Sequence, residues 1–224
     1  NYANSLKNYP LINSQTNITR IEVWITNRNA SVDDFRSIVA FADIGESKQD
    51  NIVDDTNTVL DTGITQAVVS GGNLPFNGAN RIGTEILTST LIRDIATVND
   101  AVLPYMMQEG TDYSLLQNAR KLQANEYILN PQLGFISLNR RLNDGEVLAV
   151  AYEYTVAGTV TGSSEKSFKV GEFSNDGIQA PNNLAVKLLR SEILQTKRTV
   201  AGVEESFPTW RLMMKNIYPL GAFP

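Results

Sequence analysis

The stretch VLAVAYEY, residues 147–154, decides how the chain is read. Leu148, Val150, Tyr152 and Tyr154 point one way along an extended backbone, and Val147, Ala149 and Ala151 point the other. Both faces are largely apolar, so the segment reads as a central strand covered on both sides. Just before it, Asn143-Asp144-Gly145 supplies turn chemistry, with glycine suited to positive φ. Upstream of the turn, GFISL (134–138) reads as the strand that pairs with it. Downstream, Thr159 to Ser164 reads as a flexible tip, followed by strands over 167–173 and 184–190.

The N-terminal half gives a similar but weaker signal. NITRIEVWIT (17–26) alternates Ile21, Val23 and Ile25 against Arg20, Glu22 and Trp24, the pattern of a half-buried strand. Asn27-Arg28-Asn29 follows as a turn, and Ser31 with Asp34 matches a capping box or a turn. RSIVAFADI (36–44) reads as a second strand ended by Gly45. At the start of the chain, Tyr2, Leu6 and Tyr9 share a helical face that Pro10 stops.

Residues 46–84 are polar and rich in Asp, Asn, Gly and Thr, which predicts long loops with short strands. A helix is expected within 85–107, with Ile95, Val98 and Val102 on one face and Pro104 disturbing its end. Trp210, Met213, Met214 and Ile217, with Pro208 in the first turn, predict a terminal amphipathic helix. The fold class that results is mainly β, an α+β arrangement of antiparallel, sandwich-like sheets with a few peripheral helices. A boundary near Gly110 divides it into an N-terminal β-rich subdomain with long loops (1–109) and a C-terminal β-rich subdomain ending in the helix (110–224).

Composition narrows the chemistry. The chain has neither cysteine nor histidine. Thiolate metal sites, disulfides, cysteine nucleophiles, histidine triads and histidine pH switches are therefore excluded within it. The net charge of −5 and the scattering of basic residues, with Arg140-Arg141 the densest pair, argue against nucleic acid as a partner. No apolar run approaches the length of a membrane helix. The chain opens on Asn1, and it reads as a piece of something larger.

Each candidate for chemistry has a plainer reading. Asp50, Asp54, Asp55, Asn57 and Asp61 offer the oxygens calcium needs, but their spacing is not that of an EF-hand and solvated acidic loops are common. Ser163-Ser164-Glu165-Lys166 fits Ser-x-x-Lys, yet it sits at a strand-connecting tip and not at a helix start. Asp33, Asp43, Asp112 and Glu153 could pair as glycosidase carboxylates, but no spacing singles out two of them. Gly71-Gly72-Asn73 lacks the phosphate-loop pattern and reads as a turn. The stripe from Trp210 to Ile217 reads as a core face before a docking face. The expectation is a non-enzyme, with no catalytic, cofactor-binding or metal-binding residues to assign.

Several longer blocks carry a resemblance. NITRIEVWITNR (17–28), RSIVAFADIGE (36–46), NPQLGFISLNRRLNDGEVLAVAYEYTVAG (130–158), KVGEFSNDG (169–177), NNLAVKLLRS (182–191) and TWRLMMKNIYPLGAF (209–223) follow one another as in the gliding-motility SprA (Sov) family. The loops 47–84 and 159–166 match it poorly. This resemblance implies the outer-membrane translocon of the type IX secretion system of Bacteroidetes, of which the chain would cover a small part. It implies as partners the rest of the parent chain, a PorV-type outer-membrane protein, a periplasmic plug protein and secreted protein cargo, and it implies no catalytic residues. Membrane barrel strands alternate apolar and polar residues over about ten positions. The two-sided apolar strands here suggest instead a folded insertion, with an extracellular cap preferred over a periplasmic position. The competing expectation is a surface β-sandwich that binds glycan or protein, with Trp24 and Trp210 as stacking candidates.

Overall fold

The computed structural model describes residues 5–28, 35–46, 74–80, 82–105, 107–157, 167–193, 197–200 and 202–206. The strands are β1 (Thr16–Thr26), β2 (Phe35–Phe41), β3 (Tyr113–Lys121), β4 (Tyr127–Asn130), β5 (Phe135–Leu138), β6 (Leu148–Val156), β7 (Ser167–Val170), β8 (Leu184–Arg190), β9 (Lys197–Val200) and β10 (Val203–Ser206). The fold is mainly β with short helical turns, the class expected from the sequence.

The principal sheet runs β1-β3-β2-β8-β6-β7, and β1 also pairs with β6. Of these six strands, five therefore close a ring, and β7 adds to β6 beside β8. The sheet closes on itself where stacked antiparallel layers were expected. A closed ring of five strands cannot be antiparallel at every step, because five reversals of direction do not return to the start. The odd step falls between β2 and β8, which pair in parallel from Ile38↔Leu184 to Phe41↔Lys187.

The barrel interior is a single apolar cluster fed by all five strands. Trp24, Ile38, Ala40, Leu116, Ala119, Ala149, Ala151, Leu184, Val186 and Leu188 meet there. A ring this small has little internal volume, so its walls must alternate small and large side chains. The alanines on β2, β3 and β6 leave room for one indole. Trp24, expected on the polar side of a half-buried strand, is fully buried.

The outer faces are covered too. Val23, Ile25, Leu148 and Val150 pack under the β4–β5 hairpin, against Tyr127, Ile136 and Leu138. Val39, Phe41 and Ala185 pack under residues 82–105, against Ile86, Ile92, Val98 and Val102. The central, two-sided role expected of 147–154 is thus found in β6, which hydrogen-bonds β1 on one edge and β7 and β8 on the other.

Two further expectations differ from the structure. Residues 135–138 pair with β4, not with β6. The chain reverses locally at Pro131–Gly134, where Leu133 N–H donates to Asn130 Oδ1 at 2.9 Å and Gly134 takes φ +69. That short hairpin closes at low entropic cost and leaves β6 free for β1. The turn at Gly145 (φ +72) is present, but it connects the hairpin to the barrel.

The helix expected over 85–107 is broken into a π-helical turn (Ile82–Ile86), two 3-10 turns (Thr90–Arg93 and Leu103–Tyr105) and α1 (Val98–Val102). Side chains compete with the helical ladder: Ser89 Oγ accepts from Leu91 N–H, Asp94 Oδ1 accepts from Ala96 N–H, and Thr97 Oγ1 donates to Leu91 O at 2.6 Å. Val98 and Val102 are buried, while Ile95 precedes α1 and is half-buried.

Gly110 lies between β2 and β3 along the chain, and sheet pairing crosses it. β1 and β2 come before it, and their partners β3, β6 and β8 come after it. Strands from both sides share one core.

Candidate functional site

One end of the barrel is closed by the segment that follows β7. Gly171 turns with φ +80 while passing so close to β6 that an added Cβ would lie 3.2 Å from Ala151 Cα. Glycine is required there both for the dihedral and for the approach. The turn delivers Phe173 into the barrel cluster, where it is fully buried.

A polar collar fixes that plug. Glu22, next to Trp24 on the inward side of β1, accepts Ser174 N–H at 2.9 Å and Ser174 Oγ–H at 2.7 Å. Lys121 at the end of β3 donates to Ser174 Oγ at 3.1 Å and lies 3.8 Å from Glu22. The Arg20 guanidinium stacks over the Phe173 ring, 3.6 Å from its centroid, and reaches Asn175 Oδ1 and Asp176. Asp176 also accepts from Lys169 Nζ at 2.9 Å and from Phe173 N–H at 3.2 Å. Desolvation works against its charge, but these donors prevail and hold its carboxyl below the ordinary aspartate range. Arg20 and Lys169 bring two cations to one carboxylate.

A second polar group lies on the outer side of β8. Lys187 is nearly buried and sits 3.2 Å from Glu46 Oε1. It also donates to Ala42 O. Glu46 Oε2 accepts Ile44 N–H at 2.6 Å, and Asp43 Oδ1 accepts Glu46 N–H at 3.0 Å. Burial, with Asp43 adding to it, pushes the Glu46 carboxyl up in spite of Lys187. Lys187 is the one charge within the apolar run LAVKLL (184–189), and that was the available sign that this position faces something other than plain core.

A third link, Arg93 to Glu172, ties residues 82–105 to the barrel. The guanidinium donates to both carboxylate oxygens, at 2.6 and 2.8 Å, and to Leu87 O and Asn183 O. Glu172 Oε2 also accepts Ala185 N–H from β8.

The carboxylates weighed for hydrolysis have structural partners. Asp43 caps Glu46, Asp112 accepts Gln108 N–H at 2.8 Å, and Glu153 accepts Ser167 Oγ–H at 2.6 Å. Arg140 pairs with Glu146 at 3.2 Å while Arg141 is exposed. Trp24, a stacking candidate, is inside the barrel and presents no face to a ligand. Tyr2, the 29–34 turn with Asp33, the acidic loop 50–61, Gly71-Gly72-Asn73, the 159–166 tip with Ser163 and Lys166, and the stripe from Trp210 to Ile217 lie outside the described residues. No group of three or more acidic side chains suited to a metal ion occurs among the described residues.

Compared with family models and with curated proteins, the chain matches none.

Proposed function

We propose that the chain is a non-catalytic structural or gating segment of an outer-membrane protein-conducting translocon, of the kind used for type IX secretion and gliding motility. The observation that carries this reading is where the resembling blocks fall. The block 17–28 contains most of β1, 36–46 contains most of β2, 130–158 spans β5, its turn and β6, 169–177 holds the Phe173 plug, and 182–191 contains β8. Four of the five barrel strands and the stopper therefore fall within stretches that resemble the family, while β3 does not and the block 209–223 lies outside the described residues.

The packing supports a water-soluble insertion. A five-stranded ring is smaller than the eight-stranded minimum typical of outer-membrane barrels. Much of its outer surface is already used, under the β4–β5 hairpin and residues 82–105. Such a unit acts by shape and contact. Its partners in this reading are the rest of the parent chain, a PorV-type protein, a periplasmic plug protein and passing cargo. An extracellular cap is the preferred position, since outer-membrane barrels keep periplasmic turns short and place long insertions outside.

The test is an in-frame deletion of the segment in the parent translocon, with secretion followed in cells that still assemble the parent in the outer membrane. Loss of cargo export is expected. Normal export would sink the reading, and protease shaving of intact cells that fails to reach the segment would sink the extracellular position.

A further inference from the structure

We propose that Asp144 is a modification site, at which the folded protein converts aspartate spontaneously to isoaspartate. The chain contains two Asp-Gly pairs, Asp144-Gly145 and Asp176-Gly177, and one Asn-Gly pair, Asn77-Gly78. Glycine after the acid or amide removes the side chain that would hinder attack by the next backbone nitrogen. All three pairs share that intrinsic advantage, and the fold separates them.

Asn77 is clamped. Its Nδ2–H donates to Gly171 O at 2.9 Å, and its Oδ1 accepts Gly171 N–H at 2.7 Å. Asp176 is held by Lys169, Arg20 and Phe173 N–H, as described above. Asp144 has no such hold. Its side chain is fully exposed, and among the described residues its only ion pair is a 3.9 Å approach to Arg190. It occupies the second position of a four-residue turn in which Glu146 N–H donates to Asn143 O at 3.3 Å, and Gly145 follows at φ +72, where an added Cβ would meet Arg28 Nη2 only at 4.0 Å.

The chemistry needs only water. The Gly145 backbone nitrogen bonds to Asp144 Cγ, and the carboxyl oxygen leaves as water, taking the amide proton. The resulting cyclic imide takes up one water. Opening at the Cγ carbonyl restores aspartate. Opening at the main-chain carbonyl leaves the peptide linked through Cγ, one carbon longer along the backbone, with the carboxylate on the former main-chain carbon. Atoms balance across the cycle and nothing is oxidised or reduced. The longer linkage displaces the carbonyl that Arg28 Nη2 grips at 2.7 Å and moves the negative charge away from Arg190.

The experiment ages the full, folded chain in warm, mildly acidic buffer, labels it with an isoaspartyl methyltransferase and maps the peptides. Label is expected on the peptide carrying Asp144, ahead of those carrying Asp176 and Asn77. It should be lost in Asp144→Glu, whose longer side chain disfavours the five-membered ring while keeping charge and exposure. If the urea-unfolded chain labels at Asp144 and the folded chain does not, the turn protects the site and the proposal is overturned. Label appearing first at Asp176 or Asn77 in the folded chain overturns it equally.

Discussion

Trp24 on β1 and Ala149 on β6 are cross-strand partners, and both point into the barrel. The indole fills space that the alanine leaves. Truncating it in Trp24→Ala should cost about 3–5 kcal/mol, since walls built from paired strands cannot collapse onto the cavity. Filling the same space from the other side, Ala149→Leu, should cost about 1–3 kcal/mol through overpacking. Among the described residues Trp24 Nε1 has no hydrogen-bond partner. Trp24→Phe should therefore be milder than Trp24→Ala, because no hydrogen bond is broken. Urea unfolding of the three variants checks the order, and a Phe variant as damaged as the Ala variant would contradict it.

Lys187 and Glu46 should behave as a unit. Glu46→Leu removes the carboxylate that lies 3.2 Å from a nearly buried ammonium, at a cost of about 3 kcal/mol. Replacing both, Glu46→Leu with Lys187→Met, removes the buried ammonium as well. The double variant should recover most of that loss. A double-mutant cycle measures the coupling, and strictly additive losses would show that the two side chains act independently.

Arg93 and Glu172 should control whether residues 82–105 stay on the barrel. Glu172→Ala removes the bidentate acceptor for Arg93 and the cap on Ala185 N–H, leaving a guanidinium mostly out of water. Amide exchange of 82–105 should accelerate while β1 and β6 keep their protection, because those strands are held by the barrel itself. Equal loss of protection in both regions would mean that the helical turns and the barrel open as one unit.

The sequence yielded those parts of the fold whose period was unbroken. β6 alternates along its length, β1 does so from Arg20 to Ile25 and β8 from Leu184 to Leu188, clear of the register shifts at Thr19 and Leu189. β3 escaped that reading because of a bulge. Ile38 pairs with Leu116 while Arg36 pairs with Ala119, so Gln117 and Asn118 oppose a single residue, Ser37. Leu116 and Ala119 both face inward although they are three apart, which a period of two cannot express. Closure of the barrel was equally hidden, because it depends on β1 meeting both β3 and β6, and pairing partners distant in sequence leave no mark on local pattern. The plug could have been suspected from GEFSNDG, where a lone aromatic sits between turn residues. Nothing in that string told that Glu22, some 150 positions earlier, would hold it.

Acid should act on this protein through two groups of carboxylates with opposite signs. Glu126 is held below its ordinary value of 4.5 by the bidentate Arg120 contact. Glu146 is also held below 4.5: burial opposes its charge, but Asn143 N–H and Arg140 prevail. Asp176 lies below 3.8 for a similar balance. For these groups the folded state binds protons less readily than the unfolded chain. Their contribution is complete above the ordinary carboxylate values and is lost as pH falls through the lower folded ones. Glu46 runs the other way. Burial raises its folded value above 4.5, so its ionisation subtracts stability at neutral pH, and that cost is relieved as pH falls through the raised value toward 4.5. The expected profile is a shallow gain on mild acidification followed by a steep loss below about pH 4. Glu46→Gln should flatten the upper limb and leave the lower one, whereas Glu126→Gln should soften the lower limb only. Denaturation midpoints measured across this range separate the two, and an upper limb unchanged in Glu46→Gln would remove Glu46 as its cause.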